Sequence, residues 1–276
     1  MSWKSHFSRF LQAAPQRLHF AAHSHHPWPD VTFEAQQQAW LDAASLADLK
    51  WDRVFGEVIP TAQRHLARTL ALPDPRTIAF APNTHEFLMR LLSCLPDRPS
   101  VLTTDGEFHS FSRQTKRMEE DGSARVTRVP LDPHGDFPQR FAAAAARGGY
   151  DLVYFSQVFF NTGLRVPDLR ALVAAVKDER ALVVVDGYHG FMAVPTDLSA
   201  IAARAFYLAG GYKYAMAGEG ACFLHCPPGY APRPRDTGWF ASFGTLAQAQ
   251  TGTVPYAEGG GRFLGATFDP DRKSVV

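Results

Sequence analysis

The chain has 276 residues, 46% of them hydrophobic and 20% charged, with 28 Lys and Arg against 27 Asp and Glu. The formal charge of +1 argues against a general nucleic-acid binder, which needs a concentrated cationic excess. No apolar run approaches the roughly 20 residues of a membrane-spanning helix. The opening MSWKSHFSRFLQ lacks the long apolar core of a secretory signal, and three cysteines cannot build a disulfide framework, so a cytoplasmic globular protein is expected.

Residues 1–55 are rich in aromatics and histidine, with a turn at His23-Ser24-His25-His26-Pro27-Trp28-Pro29. Thr77–Ala81 reads as a strand, followed by a helix from Thr84 to about Leu95. Val101–Thr104 is the next strand, with a helix from about Phe111, and Leu152–Ser156 is a third strand. Pro167-Asp168 opens a helix whose Leu169, Leu172, Val173 and Val176 fall on one apolar face. Ala181–Val185 is a β-branched run suited to a strand buried on both faces. Strand–helix–strand repetition implies an α/β fold with a mostly parallel sheet and helices on both sides. Such sheets bind ligands at the carboxyl ends of their strands.

Two strand ends carry unusual chemistry. Asp186 closes the Val183–Val185 strand within Val-Asp-Gly-Tyr-His-Gly, and a buried carboxylate there needs a cationic or hydrogen-bonding partner. After Ala205–Ala209 comes Gly210-Gly211-Tyr212-Lys213-Tyr214, a lone lysine between two tyrosines. A desolvated lysine loses its proton more easily and can form a Schiff base with a carbonyl. Cys222, His225 and Cys226 have no second ligand pair elsewhere, so no metal site is expected and they read as packed core residues.

Asp186, His189 and Lys213, in that order and at that spacing, resemble the class V aminotransferase family of fold type I pyridoxal phosphate (PLP) enzymes, especially the kynureninase-like branch. The resemblance implies a three-layer α/β/α large domain with part of a small domain. On it, residues 1–55 form an amino-terminal segment at the active-site lip, 56–240 the cofactor-binding domain and 241–270 the start of a carboxy-terminal region. It implies an enzyme that acts on an amino acid through a Lys213 Schiff base, by transamination or by lyase chemistry. Asp186 would keep the pyridine nitrogen protonated, and His189 would lie at the ring oxygen or the phosphate.

Other positions match the family in turn. Asn83-Thr84-His85-Glu86 opens a helix where the phosphate is seated, with Thr84 offering a hydroxyl and His85 its backbone N–H, and Tyr212 would also contact the phosphate. Phe108, with His109 as second choice, would stack on the pyridine ring, and Gln157 would approach the ring oxygen. Trp239 of Gly-Trp-Phe resembles a kynureninase residue on the phosphate. Thr267 of Phe-Leu-Gly-Ala-Thr resembles a desulfurase residue that reaches the neighbouring subunit's phosphate, which implies a homodimer with shared active sites. His23, Ser24 and His25 lie where relatives contact substrate.

The family includes aminotransferases, kynureninases, cysteine desulfurases and an epimerase. Gly-Tyr-Lys-Tyr and Gly-Trp-Phe favour the kynureninase-like branch, while Cys222 and Cys226 follow the lysine too closely for the desulfurase cysteine. The alternative is a PLP-binding remnant without turnover. A nucleotide-binding domain is disfavoured because neither G-x-G-x-x-G nor G-x-x-x-x-G-K-[ST] follows a strand. Relatives continue past the equivalent of residue 270, and Asp-Arg-Lys-Ser-Val-Val can be spelled GAT CGG AAG AGC GTC GTG, matching a common sequencing adapter. Residues 271–276 are therefore expected to be a non-native tail on a truncated member.

Overall fold

A computed structural model of the chain describes residues 2–245 and 252–271; most of the expected non-native tail, residues 272–276, lies outside the described residues. Seven strands form one sheet: β1 Ile78–Ala81, β2 Ser100–Thr104, β3 Arg125–Val129, β4 Leu152–Ser156, β5 Leu182–Asp186, β6 Ala205–Gly210 and β7 Cys222–His225. Their order is β1-β7-β6-β5-β4-β2-β3, and β7 alone runs against its neighbours β1 and β6. The sheet is thus mixed but mostly parallel, as the strand–helix repetition implies.

The centre of the sheet follows from its sequence. Leu182–Asp186 is buried at every position, and a β-branched run with parallel neighbours on both sides has no solvated face to alternate with. β3, by contrast, is an edge strand of sequence Arg-Val-Thr-Arg-Val whose arginines stand in or near solvent. Charged edge positions discourage further strand pairing, and the same charges hide the strand from a reading based on apolar runs.

Among the described residues, eight α-helices accompany the sheet: α1 Ser8–Ala13, α2 Asp30–Leu46, α3 Lys50–Arg53, α4 Ile59–Thr69, α5 Thr84–Leu92, α6 His109–Glu120, α7 Phe137–Ala146 and α8 Leu169–Ala175. Asn83 caps α5, its side-chain oxygen accepting from the Glu86 N–H at 3.0 Å, while Phe87, Leu88, Leu91 and Leu92 turn into the core. Asp168 caps α8 by accepting from the Ala171 N–H at 3.1 Å. That helix is shorter than its apolar pattern suggests, because Val176 leaves it in an extended conformation and still buries its side chain. α6 starts two residues before Phe111 and α5 ends three residues before Leu95.

Sheet order decides what meets at the carboxyl edge. β1, β4, β5 and β6 all end there, and antiparallel β7 begins there. Ser156 is in register with Asp186, Asp186 with Leu208, and Cys222 with both Gly210 and Ala81. Segments far apart in the chain therefore deliver their next residues to one place.

Candidate active site

A cleft of about 290 Å³ opens at this edge, and its walls include Asn83, Thr84, His85, Phe108, Asp186, His189, Tyr212 and Lys213. Seven residues expected to bind the cofactor thus share one cleft: Thr84, His85, Phe108, Asp186, His189, Tyr212 and Lys213. Each arrives from a strand end: α5 begins after β1, Phe108 follows β2, Asp186 closes β5, and Lys213 follows β6.

Lys213 is only 6% exposed. Its Nζ lies 2.5 Å from Nε2 of His189 and within 5.8 Å of the ring centres of Phe108, Tyr188 and Tyr212. Burial pulls the Lys213 amine below its ordinary pKa, with the Asp186 charge pulling the other way. Burial together with the neighbouring Lys213 and His23 charges lowers His189 to about 4, so its imidazole is neutral at pH 7. A neutral ring nitrogen accepts from an ammonium, which places the ring hydrogen on Nδ1. The arrangement holds a nucleophilic amine in a desolvated aromatic setting, the condition for capturing an aldehyde.

Asp186 is buried and pinned. Its Oδ2 accepts from the Tyr154 hydroxyl at 2.7 Å and its Oδ1 from the Tyr188 N–H at 2.9 Å. Burial raises the carboxyl above its ordinary range, while these two donors and Lys213 oppose that shift. Phe111 of α6 stacks on Tyr154 at 3.7 Å and 12°, fixing the phenol that donates to Asp186. A second buried carboxyl, Glu107, sits behind Phe108 and accepts from Thr104 Oγ1 at 2.7 Å, Ser156 Oγ at 2.6 Å and Ser156 N–H at 3.2 Å. Burial pushes Glu107 up to about 8, with the Asp186 charge adding to it.

Two glycines give the aromatic rings room. A Cβ at Gly187 would lie 2.0 Å from the Tyr207 hydroxyl, and one at Gly210 would lie 2.3 Å from the Tyr188 ring. In both places a tyrosine fills the space where another residue would carry its side chain.

Seven expected residues do not line the cleft. Gln157 does not line the cleft: its amide oxygen accepts from Tyr207 and its amide nitrogen donates to Thr196, each at 2.8 Å, so it braces the turn after β5. Trp239 donates to Thr267 Oγ1 at 3.2 Å and packs on Phe240, and neither Trp239 nor Thr267 lines the cleft. His109, the second choice for stacking, contacts Phe108 and Phe160 and lines a groove along α6 instead. At the amino terminus, His23, Ser24 and His25 form an exposed turn. His23 is near enough for its charge to act on His189, and His26 meets Tyr214, the residue after the lysine, at 6.1 Å.

The cleft also contains residues that the motif reading passed over: Ser110, Tyr188, Glu219, Gly220 and Cys222. Tyr188 lies inside the Val-Asp-Gly-Tyr-His-Gly segment and was visible there. Cys222 is buried as expected, but it enters the cleft wall because β7 runs antiparallel, which only the sheet order reveals. His225 bridges Thr77 and Ala202 within the core, and among the described residues no cluster of His, Cys, Asp and Glu could hold a metal ion.

Comparison with known proteins agrees with this architecture. The chain is 25% identical over 168 residues to a probable cysteine desulfurase of Vibrio cholerae, covering 59% of this chain and 41% of that protein. It therefore spans about two fifths of that relative's length. It superposes with a TM-score of 0.79 on a lysine-to-alanine variant of the cystine C–S lyase C-DES with glycine covalently linked to its PLP cofactor, at 20% identity over 100% of this chain and 72% of that one. The cysteine desulfurase of Thermococcus onnurineus NA1 gives 0.77 at 16% identity, over 100% and 69% of the two chains. The fold is that of the fold type I PLP enzymes. The expected kynureninase-like branch finds no support among these matches; cysteine desulfurases fit better, although cysteine spacing had pointed away from them. A family model described as aminotransferase class V matches residues 43–229, a stretch holding β1 through β7 and every cleft residue named above. The chain belongs to this family of PLP-dependent enzymes.

Proposed function

We propose that the protein is a PLP-dependent enzyme that cleaves a C–S bond of a sulfur-containing amino acid. The observation that carries this reading is the buried Lys213 amine, held 2.5 Å from a neutral His189 and in one cleft with the Asp186 carboxylate. The residues present fit the cofactor. Lys213 would hold its aldehyde, Asp186 would serve as the counter-charge to its pyridine nitrogen, and Phe108 would supply an aromatic face. Thr84 and His85 begin α5, where first-turn N–H groups lack helical partners and the helix dipole favours an anion, so they receive the phosphate. When bound, the cofactor supplies an electron sink for the bond broken at the amino acid.

The chain's own residues then orient and move protons. Asp186, desolvated but held by Tyr154 and the Tyr188 N–H, stays in position to keep a ring nitrogen protonated. Lys213, its pKa lowered by burial, would serve as the base, and neutral His189 accepts a hydrogen bond from it. His23, Ser24 and His25, in the exposed amino-terminal turn, would be the substrate-contacting group.

C–S cleavage is favoured over transamination because the relatives named above are desulfurases and a C–S lyase. Cys222 is the cysteine in the cleft, whereas Cys226 is fully buried. We place the protein in the cytoplasm, consistent with three unbridged cysteines, and as a homodimer in which exposed Thr267 faces the partner. No helix among the described residues is long and apolar enough to cross a membrane.

The test is release of sulfide or persulfide, with pyruvate or alanine, from cysteine and cystine by the PLP-loaded chain. Activity that disappears in Lys213→Ala supports the reading. Turnover of amino acids without any sulfur release would replace it with transamination, and an adduct without turnover would make the chain a binding remnant.

A further inference from the structure

Phe160 follows β4 at the tip of a tight hairpin. Val158 bridges Arg165, the Phe159 N–H donates to the Leu164 carbonyl at 2.9 Å, and the Gly163 N–H donates to the Phe159 carbonyl at 2.8 Å. Gly163 closes the turn with a φ of 69°, a conformation that glycine adopts without strain. Phe159 is fully buried and meets Phe137 edge-on at 5.5 Å. Successive side chains of an extended segment point to opposite sides, so Phe160 stands outside the core and is only half-buried.

The Phe160 ring reaches the active site. It meets Phe108 at 5.2 Å and 83°, His109 at 4.9 Å and His189 at 6.2 Å. Two of these partners surround the reactive amine: Lys213 Nζ lies 2.5 Å from His189 Nε2 and 5.6 Å from the Phe108 ring centre. Phe160 is thus one ring removed from the amine, and Phe108 itself remains 36% exposed. Phe108, Phe160 and neutral His189 carry no charge. Among the described residues lining the cleft, Lys213 is the only lysine or arginine. A charged substituent would therefore be desolvated against these rings without a partner.

We propose that the sulfur of the substrate carries an aromatic substituent, as in a cysteine conjugate of the S-benzylcysteine type, and that Phe160 is the residue that selects it. Contacts between aromatic rings add to the simple burial of their surface. A ring fixed in advance by the main-chain bonds of its hairpin costs little ordering when the substrate enters. The reaction is redox-neutral. The Cα proton passes to the Lys213 amine, and the Cβ–S bond breaks with its electron pair on sulfur. The thiolate takes up a proton, and water releases the remaining carbons and nitrogen as pyruvate and ammonium.

This inference rests on the C–S cleavage reading and is tested so that the two fail separately. The PLP-loaded chain is assayed for thiol release from S-benzylcysteine and S-methylcysteine. Both lose an alkanethiolate, so a difference in kcat/KM reports recognition rather than leaving-group chemistry. Dissociation constants of their uncleavable counterparts, 2-amino-5-phenylpentanoate and norvaline, are read from the absorbance of the cofactor. Circular dichroism checks that each variant is folded. The wild type is expected to favour the aromatic member of each pair by at least about tenfold. Phe160→Leu keeps apolar bulk without a ring and is expected to lower both ratios about fivefold. Phe160→Tyr keeps the ring and should hold both ratios within about twofold of the wild type. Wild-type ratios near one would overturn the proposal. So would a folded leucine variant that loses both members of a pair equally, because Phe160 would then only brace Phe108 and His189. Cleavage of S-methylcysteine without cleavage of S-benzylcysteine would overturn it while leaving the C–S reading intact. If no thiol is released from either compound or from cysteine and cystine, the C–S reading falls and the conjugate with it.

Discussion

The ε-amine of Lys213 and Nε2 of His189 are 2.5 Å apart, so two groups that each bind protons share a single contact. The ring yields: burial and the lysine charge lower His189 to about 4. In the unfolded chain the same histidine titrates near about 6.5. A folded pKa below the unfolded one means that its stability contribution is complete above about 6.5 and is lost as pH falls toward about 4. A nuclear magnetic resonance titration should therefore find His189 neutral at pH 6. Replacing it with glutamine should make the acid limb of the stability curve shallower. A midpoint near the ordinary histidine value would show a solvated ring and contradict the buried contact.

Tyr154 tests how Asp186 is held. Tyr154→Phe keeps the ring stacked on Phe111 but removes the hydroxyl that donates to Asp186 Oδ2 at 2.7 Å. Losing one partner of a buried charged group costs on the order of 1–3 kcal/mol. Urea unfolding at pH 7 should show a loss in that range. PLP affinity should also fall, because the carboxylate is no longer fixed.

Glu107 gives the opposite pH dependence. Burial raises it to about 8, against an unfolded value near 4.5. The folded chain therefore holds a proton that the unfolded chain releases, and stability falls as pH rises from about 4.5 to about 8. Glu107→Gln should flatten the curve across that window, with a difference between the two proteins on the order of a few kcal/mol at its alkaline end. Parallel stability curves for the two proteins would place Glu107 as an ordinary ionised carboxylate.

Gly187→Ala is the simplest packing test. The added methyl group would lie 2.0 Å from the Tyr207 hydroxyl, which itself donates to Gln157. Tyr207 is fully buried in the sheet. Overpacking of this kind costs about 1–3 kcal/mol, and displacing the hydroxyl leaves the Gln157 amide short of a partner. Thermal unfolding should show a clearly lowered Tm. The same substitution at Gly56, where an added Cβ meets nothing within 4 Å, should be far milder.

What was legible in the sequence follows from how locally each feature is determined. The Leu182–Asp186 strand announces itself through its β-branched run, and α5 through its Asn83 cap and apolar face. Lys213 and Asp186 stand out because charged groups at apolar strand ends have few harmless explanations. α2, with 17 residues, was not legible: only Thr32 is buried, so no apolar stripe marks it. The edge strand β3 was hidden by its arginines. The direction of the Gln157 side chain was not legible, because its position at a strand end does not say which way it turns, and here it pairs with Tyr207 and Thr196. Tyr188 was visible beside Asp186 in the sequence, whereas Cys222 became a site residue only through the antiparallel pairing of β7 with β6, which no local pattern encodes.

The central claim, that the buried amine of Lys213 captures an aldehyde cofactor, is tested most directly by reducing the PLP-loaded chain with borohydride and mapping the modified peptide. A single pyridoxyl group on Lys213, absent from Lys213→Ala, is the expected result. Modification spread over surface lysines, or unchanged in the variant, would contradict it.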